Sequence, residues 1–256
     1  MSPSPRYPGT SIRFLAILFL AFLPMTLTGQ SPADLGEEDR VVYSEQSPAW
    51  LRTVGRLDVP GYKIEDGRRV HHRENCTATL LGSSAAARHI LTAWHCLEYY
   101  RDLSMVITFS LPHLSSEPVV RQARRLVDGG SMAADWAILE LEESVKFNPG
   151  IALTIDATID DRDSELVMAG YSRDAGLGRS GEALTYDQNC RSLAHSRGYT
   201  LTDCRAFKGA SGGPVVHYSD AGVPYLAGVI SEGNGEDTST YVPLARFRSS
   251  LKRYLP

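Results

Sequence analysis

The stretch Lys208-Gly209-Ala210-Ser211-Gly212-Gly213-Pro214 sets one serine among glycines. A serine hydroxyl is a poor nucleophile at neutral pH. It needs a base beside it and donors for the oxyanion that forms when a carbonyl is attacked. Glycine at 209 and 212 lets the backbone turn tightly and leaves its N–H groups uncovered. A candidate base stands far upstream, in Leu91-Thr92-Ala93-Trp94-His95-Cys96. Together the two stretches point to an activated serine.

Outward from that serine, the chain reads as strands. Apolar runs at 51–57, 77–81, 89–92, 105–109 and 136–141 are short and separated by Gly, Ser, Asp or Pro. A second series follows at 166–171, 181–186, 199–203, 214–218, 225–231 and 240–242, with a join at 146–163. Helix signals are few: one short turn over 93–100, and a terminal helix over 243–255. In that helix Leu244, Phe247, Leu251 and Tyr254 form one stripe, Pro243 takes the first position, and Arg248, Lys252 and Arg253 lie toward the C-terminal end. The expectation is an all-β fold. The serine motif also fits the G-x-S-x-G elbow of α/β-hydrolase esterases, which need an acid and then a histidine after the serine. Only His217 follows, six residues on within the same strand, and strand-helix alternation is missing.

With 256 residues, 43% apolar and 22% charged, the chain can bury a substantial core. A net charge of -4 and basic residues scattered outside the cluster 121–125 argue against nucleic acid as a partner. Near the N-terminus Arg6 and Arg13 precede the apolar run 14–23, then Pro24 and small or polar residues to Gly29. That is the layout of a signal peptide over 1–29, and the run is short of the roughly 20 residues that span a bilayer. The expected location is secreted or periplasmic, with no stable membrane anchor after signal removal. Residues 30–48 are acidic, carry Pro32, Gly36 and Pro48, and read as a flexible lead-in or propeptide. Four cysteines in an exported chain imply two disulfides, for which three pairings exist. The local ones, Cys76–Cys96 and Cys190–Cys204, are preferred because they staple the segments that hold His95 and Ser211.

Among seven histidines, His95 stands at a strand-to-turn corner that Cys96 would fix, and a general base needs such restriction. His71 and His72 lie in a polar, arginine-rich stretch and read as surface. Asp135 opens the apolar run Asp135-Trp136-Ala137-Ile138-Leu139-Glu140-Leu141. A carboxylate there is partly buried and needs a partner, which an imidazole N–H supplies while fixing the tautomer.

These blocks, Thr92-Ala93-Trp94-His95-Cys96, Asp135-Trp136-Ala137-Ile138-Leu139 and Gly209-Ala210-Ser211-Gly212-Gly213-Pro214, resemble the signatures of trypsin-like serine peptidases, in that family's His, Asp, Ser order. The blocks at 76–81 and 228–233 extend the resemblance, which runs from Trp50 to the C-terminus. It implies two antiparallel six-stranded β-barrels, at 49–150 and 151–242, with the C-terminal helix at 243–255 and the site in the cleft between the barrels. It implies peptide-bond hydrolysis with Ser211 as nucleophile, His95 as base and Asp135 as its orienting acid. The N–H groups of Gly209 and Ser211 would form the oxyanion hole. Ser231 would help hold the acid and the substrate main chain, Gly233 would leave room for a substrate strand, and Ser239 would line the pocket wall. The implied partner is a protein or peptide substrate; no cofactor or metal is called for, and a monomer is expected.

Two departures qualify the resemblance. The digestive members pair a freed N-terminal ammonium with an aspartate just before the nucleophile, where this chain has Ala210. Thr53-Val54-Gly55-Arg56-Leu57 instead resembles the first strand of secreted bacterial members related to glutamyl endopeptidases. At the pocket-floor position stands Arg205, which favours acidic side chains if it points inward and is a solvated loop residue if it points outward. Ile230 occupies the place of the substrate-reading histidine of glutamyl endopeptidases.

Overall fold

The computed structural model describes residues 38–82, 84–155 and 165–255. The signal peptide expected over 1–29 and the lead-in as far as residue 37 lie outside the described residues. Fourteen strands follow in order: β1 (Val41–Val42), β2 (Val54–Glu65), β3 (Arg68–Leu81), β4 (Ala86–Thr92), β5 (Ile107–Leu111), β6 (Val119–Asp128), β7 (Ala137–Lys146), β8 (Leu166–Gly170), β9 (Thr185–Cys190), β10 (Ser192–His195), β11 (Thr200–Thr202), β12 (Pro214–Tyr218), β13 (Pro224–Gly233) and β14 (Ser239–Pro243). A single α-helix, α1 (Arg248–Tyr254), ends the described chain.

Strands β2 to β7 close a six-stranded antiparallel barrel in the order β2-β3-β4-β7-β6-β5. Its longest ladder, β2 on β3, is turned by Asp66-Gly67, both at positive φ (49° and 73°). Two such residues make the turn whose twist matches that of the flanking strands. On β6 and β7, Arg124 stands opposite Glu140 and ion-pairs with it, so the arginine cluster is the outer face of a strand. The inner face packs Leu57, Ile107, Phe109, Leu111, Leu139 and Leu141.

The second sheet holds eight strands in the order β1-β9-β8-β12-β13-β14-β11-β10 and does not close. The second six-stranded barrel of the expectation is therefore an open half-barrel: six of these strands, β9 to β11 along that order, form it, and β1 and β10 are added at its margins. Between its free ends runs a different closure. The Cys190–Cys204 disulfide joins the end of β9 to the residues after β11, and Asp203 N–H donates to the Arg191 carbonyl at 3.2 Å.

A core shared by both sheets contains Leu81, Leu91 and Ile138 from the barrel, Val167, Val216 and Val229 from the open sheet, and Phe247 and Leu251 from the C-terminal segment. Burying a side chain such as Phe247, fully shielded here, is worth about 1.5–3 kcal/mol. The terminal stripe therefore packs on the body. Pro243 closes β14 rather than opening the helix; a 3-10 turn, Leu244–Arg246, intervenes before α1.

Of the lead-in or propeptide expected over 30–48, residues 38–48 are described. Val41 and Val42 pair with Tyr186 and Thr185, and Arg40 is only 5% exposed. Backbone pairing and a buried guanidinium fix these residues, which fall within the compact unit Asp39–Pro256.

Candidate active site

His95 is positioned by the closed barrel. β4 ends at Thr92, paired with Ala137 at the start of β7. This register puts the residues after Thr92 beside those before Ala137. The chain then turns into a 3-10 helix, His95–Leu97, stapled by Cys76–Cys96 to β3. Asp135 has no exposed surface and accepts three hydrogen bonds. They come from His95 N–H on Oδ1 at 2.8 Å, His95 Nδ1 on Oδ2 at 2.8 Å and Ser231 Oγ on Oδ2 at 2.5 Å. Such a buried carboxylate has its hydrogen-bonding needs met, and its hold on Nδ1 leaves His95 Nε2 on the far edge of the ring, with Cys96 Sγ at 4.0 Å.

Burial pushes the His95 imidazolium down. The Asp135 hydrogen bond and charge, with the charges of Glu74 and Glu232, outweigh that push and leave His95 above its ordinary value of 6.5.

Ser211 lies in the connection from β11 to β12. Gly209 and Gly212 adopt φ of +99° and +85°. A Cβ on Gly212 would come within 2.2 Å of the Thr77 carbonyl and of Thr92 Oγ1, so only glycine lets the loop approach the barrel this closely. Gly212 N–H donates to the Ile230 carbonyl, Ile230 N–H to the Gly213 carbonyl, and Thr77 N–H to the Ser211 carbonyl. Among the described residues the N–H groups of Gly209 and Ser211 have no protein acceptor. Gly209 is buried, and a buried N–H without a partner asks for one. Ser211 Oγ makes no hydrogen bond to His95 in this resting geometry; catalytic contacts often tighten only when substrate binds.

Ser211 and His95 line one open cleft of about 580 Å³, with Ala206, Lys208, Ser231, Gly233 and Ser239. Ser239 Oγ accepts from Ala206 N–H at 2.9 Å and so ties the pocket wall to its neighbour. A Cβ on Gly233 would lie 1.9 Å from the Ala206 carbonyl oxygen. Strand β13 and the connection after β11 therefore approach each other closely on this side of the cleft.

Arg205 does not reach the cleft. Its N–H is held by Asp187 Oδ2 at 2.6 Å, and the residue lines a separate cavity with Asp187, Asp203 and Asp237. Of the two orientations the sequence left open for Arg205, this placement favours the loop one over a place on the pocket floor.

Thr77 was missed by the sequence reading. Its Oγ1 donates to the Gly209 carbonyl at 2.8 Å and accepts from Tyr171 N–H at 2.9 Å, and its carbonyl accepts from Thr92 Oγ1 at 2.8 Å. One side chain thus ties the barrel to the serine loop. Nothing in a threonine following a cysteine signals this. Cys76, Cys96 and His95 also gather potential metal ligands, but the two sulfurs are bonded to each other and offer no thiolate.

A family profile described as Trypsin matches residues 62–251, a stretch that takes in His95, Asp135 and Ser211. Among solved structures 517 chains match. One, described as "Structure of GrC", has 15% identity and a TM-score of 0.61, covering 81% of this chain and 96% of that one. At this identity the likeness is one of fold. No curated protein matches.

Proposed function

The chain belongs to the trypsin family, and from that premise we propose that it is a secreted serine endopeptidase working through a Ser211-His95-Asp135 triad and an acyl-enzyme. Ser211 Oγ attacks the peptide carbonyl carbon while His95 Nε2 takes its proton. The C–N bond breaks as His95 returns that proton to the leaving amine. Water, deprotonated by His95, then cleaves the acyl ester and regenerates the serine. Asp135 holds the imidazole in the required tautomer and stabilises its charged form. The N–H groups of Gly209 and Ser211 receive the oxyanion.

The observation that carries this reading is the fully buried Asp135 carboxylate. It is saturated by His95 and Ser231, behind a cleft that also holds Ser211. All three groups come from one chain, which supports action as a monomer. Two disulfides support export, and no helix among the described residues is long and apolar enough to cross a membrane. Ala210 and the stretch 53–57 support kinship with the secreted bacterial members related to glutamyl endopeptidases. Ile230 speaks against their mode of glutamate recognition. The contact of Gly233 with Ala206 supports a preference for small side chains before the scissile bond.

The test is labelling of the oxidised protein by a fluorophosphonate, with hydrolysis of peptide anilides that carry alanine, glutamate, arginine or phenylalanine before the scissile bond. Labelling and hydrolysis are expected in the wild type, fastest for alanine. Both are lost in Ser211→Ala, by about 10⁵–10⁶-fold for turnover. A folded, oxidised wild type that never reacts would mark the chain as a silent binding or regulatory module.

A further inference from the structure

Arg40 lies far from the serine in sequence but next to its loop in space. Its side chain is 2% exposed. Nη1 donates to Asp174 Oδ1 at 2.8 Å and Nη2 to Oδ2 at 3.2 Å, a two-pronged pairing that fixes the guanidinium plane. The Arg40 Cζ also sits 4.1 Å from the centre of the Phe207 ring, within the range of a cation–π contact. One cation therefore grips two loops.

Those loops meet at the Lys208–Gly209 peptide. Arg173 N–H, adjacent to Asp174, donates to the Lys208 carbonyl at 2.7 Å. In a trans peptide the C=O and the following N–H point to opposite edges. Pinning the Lys208 oxygen on the Arg173 side therefore sends Gly209 N–H the other way, off the Arg173 side of the loop. At the loop's other end the Phe207 carbonyl accepts Ala210 N–H at 2.9 Å. Asp174 also braces its own loop, accepting from Gly178 N–H at 3.1 Å, while its carbonyl takes Ser180 N–H at 2.8 Å. Burial would raise the Asp174 carboxyl, but Arg40 and the Gly178 N–H overcome it and hold the group below the usual carboxylate value. Ala210 is buried and uncharged, so the residue just before the serine supplies no charge for this task.

We propose that Arg40 is a positioning residue for the oxyanion hole: by joining Asp174 to Phe207 it holds the Lys208–Gly209 peptide with Gly209 N–H aimed at the substrate carbonyl. The proposal rests on the peptidase reading and adds a residue to it. Because the cation is a side chain, the contact needs no free α-amino group.

The experiment compares the full-length oxidised wild type with Arg40→Ala, Arg40→Lys and Asp174→Asn. It measures kcat and KM per active site, the thermal midpoint, and the amide shift of Gly209. Losing an oxyanion donor costs about 10²–10³-fold in kcat, and misaiming one costs part of that. Arg40→Ala is expected to lower kcat by about 10–100-fold with little change in KM and to move the Gly209 amide resonance. Arg40→Lys recovers part of the rate, and added guanidinium ion at non-denaturing concentration restores part of it in Arg40→Ala. Asp174→Asn keeps the side chain's size and lowers kcat in the same sense, and it decides the matter should Arg40→Ala fail to fold. A folded Arg40→Ala protein with wild-type kcat per titrated site overturns the proposal. So does a rate loss that tracks only the folded fraction. An inert wild type sinks the peptidase reading instead; the Gly209 resonance then decides, and its staying in place in Arg40→Ala overturns the positioning role.

Discussion

The closed barrel and the open sheet hold their shares of the site by different means. In the barrel every strand edge is paired, and His95 and Asp135 hang from the adjoining ends of two neighbours, β4 and β7. The backbone ladder between these two strands sets His95 beside Asp135. Ser211 instead sits on the connection between β11 and β12, which are separated in the sheet by β14 and β13. A loop that crosses two strands gains no ladder of its own. It is fixed by Thr77, Ser239, Arg40 and the Cys190–Cys204 bridge. Rigid geometry can be built either into the strands or into side chains laid over a loop, and the second is easier to break.

That contrast sets the order of expected effects. Asp135→Asn removes nothing from the barrel's ladders, so His95 stays near its place but in the wrong tautomer. A fall in kcat of about 10⁴-fold is expected, with little loss of thermal stability. Steady-state kinetics and a melting curve check both halves; a collapse of the fold would show that the ladders do not carry the site. The disulfides come next. Their loops, of 20 and 14 residues, predict nearly equal stabilisation, about 3 kcal/mol each on the chain-entropy account. Replacing Cys76 and Cys96 by serine should therefore cost stability much as replacing Cys190 and Cys204 does. Activity per folded molecule separates them. The barrel variant keeps His95 on two Asp135 hydrogen bonds, whereas the sheet variant loses the staple at its open margin and more of its kcat. Equal kcat in the two folded variants would erase the distinction between sheet and barrel.

The same contrast explains what was legible in the sequence. The strands at 89–92, 136–141, 214–218 and 225–231 were readable because each is an apolar run with one buried partner on either side. β6 was not, because its burial alternates and Arg121, Arg124 and Arg125 hide the period. Nor was the outer half of the β2–β3 hairpin, where His71 is exposed and His72 turns to Glu74 and Tyr99 instead of the barrel interior; its turn signal, Asp66-Gly67, was there to be used. His95, Asp135 and Ser211 stood out in the sequence because the chemistry proposed for them constrains their neighbours within a few residues. Thr77, Arg40 and Asp174 act across 94 to 134 residues of chain, and contacts at that range leave no local pattern. Arg205 kept two open orientations for a related reason: which way a loop residue turns depends on partners from elsewhere in the chain, here Asp187.

The smallest expected effect concerns charge at the mouth of the cleft. His95 is raised above 6.5 in spite of burial, by Asp135 first and then by Glu74 and Glu232. Only neutral His95 can accept the Ser211 proton, so kcat/KM should rise with pH along a limb set by that raised value. Stability runs the opposite way. A histidine whose folded pKa exceeds its unfolded one contributes stability that is fully present below about 6.5. That contribution is lost as pH climbs through the folded value. The protein should thus become less stable over the window in which it becomes active. Glu232 is exposed and belongs to the open sheet, whereas Asp135 is buried at the edge of the barrel. Glu232→Gln removes a distant, solvent-screened charge, so the acid limb should move to lower pH by less than any change at Asp135 produces. A pH profile of kcat/KM, read for the position of the limb and not its height, measures this. A limb that stays in place would mean that His95 is tuned by the closed barrel alone.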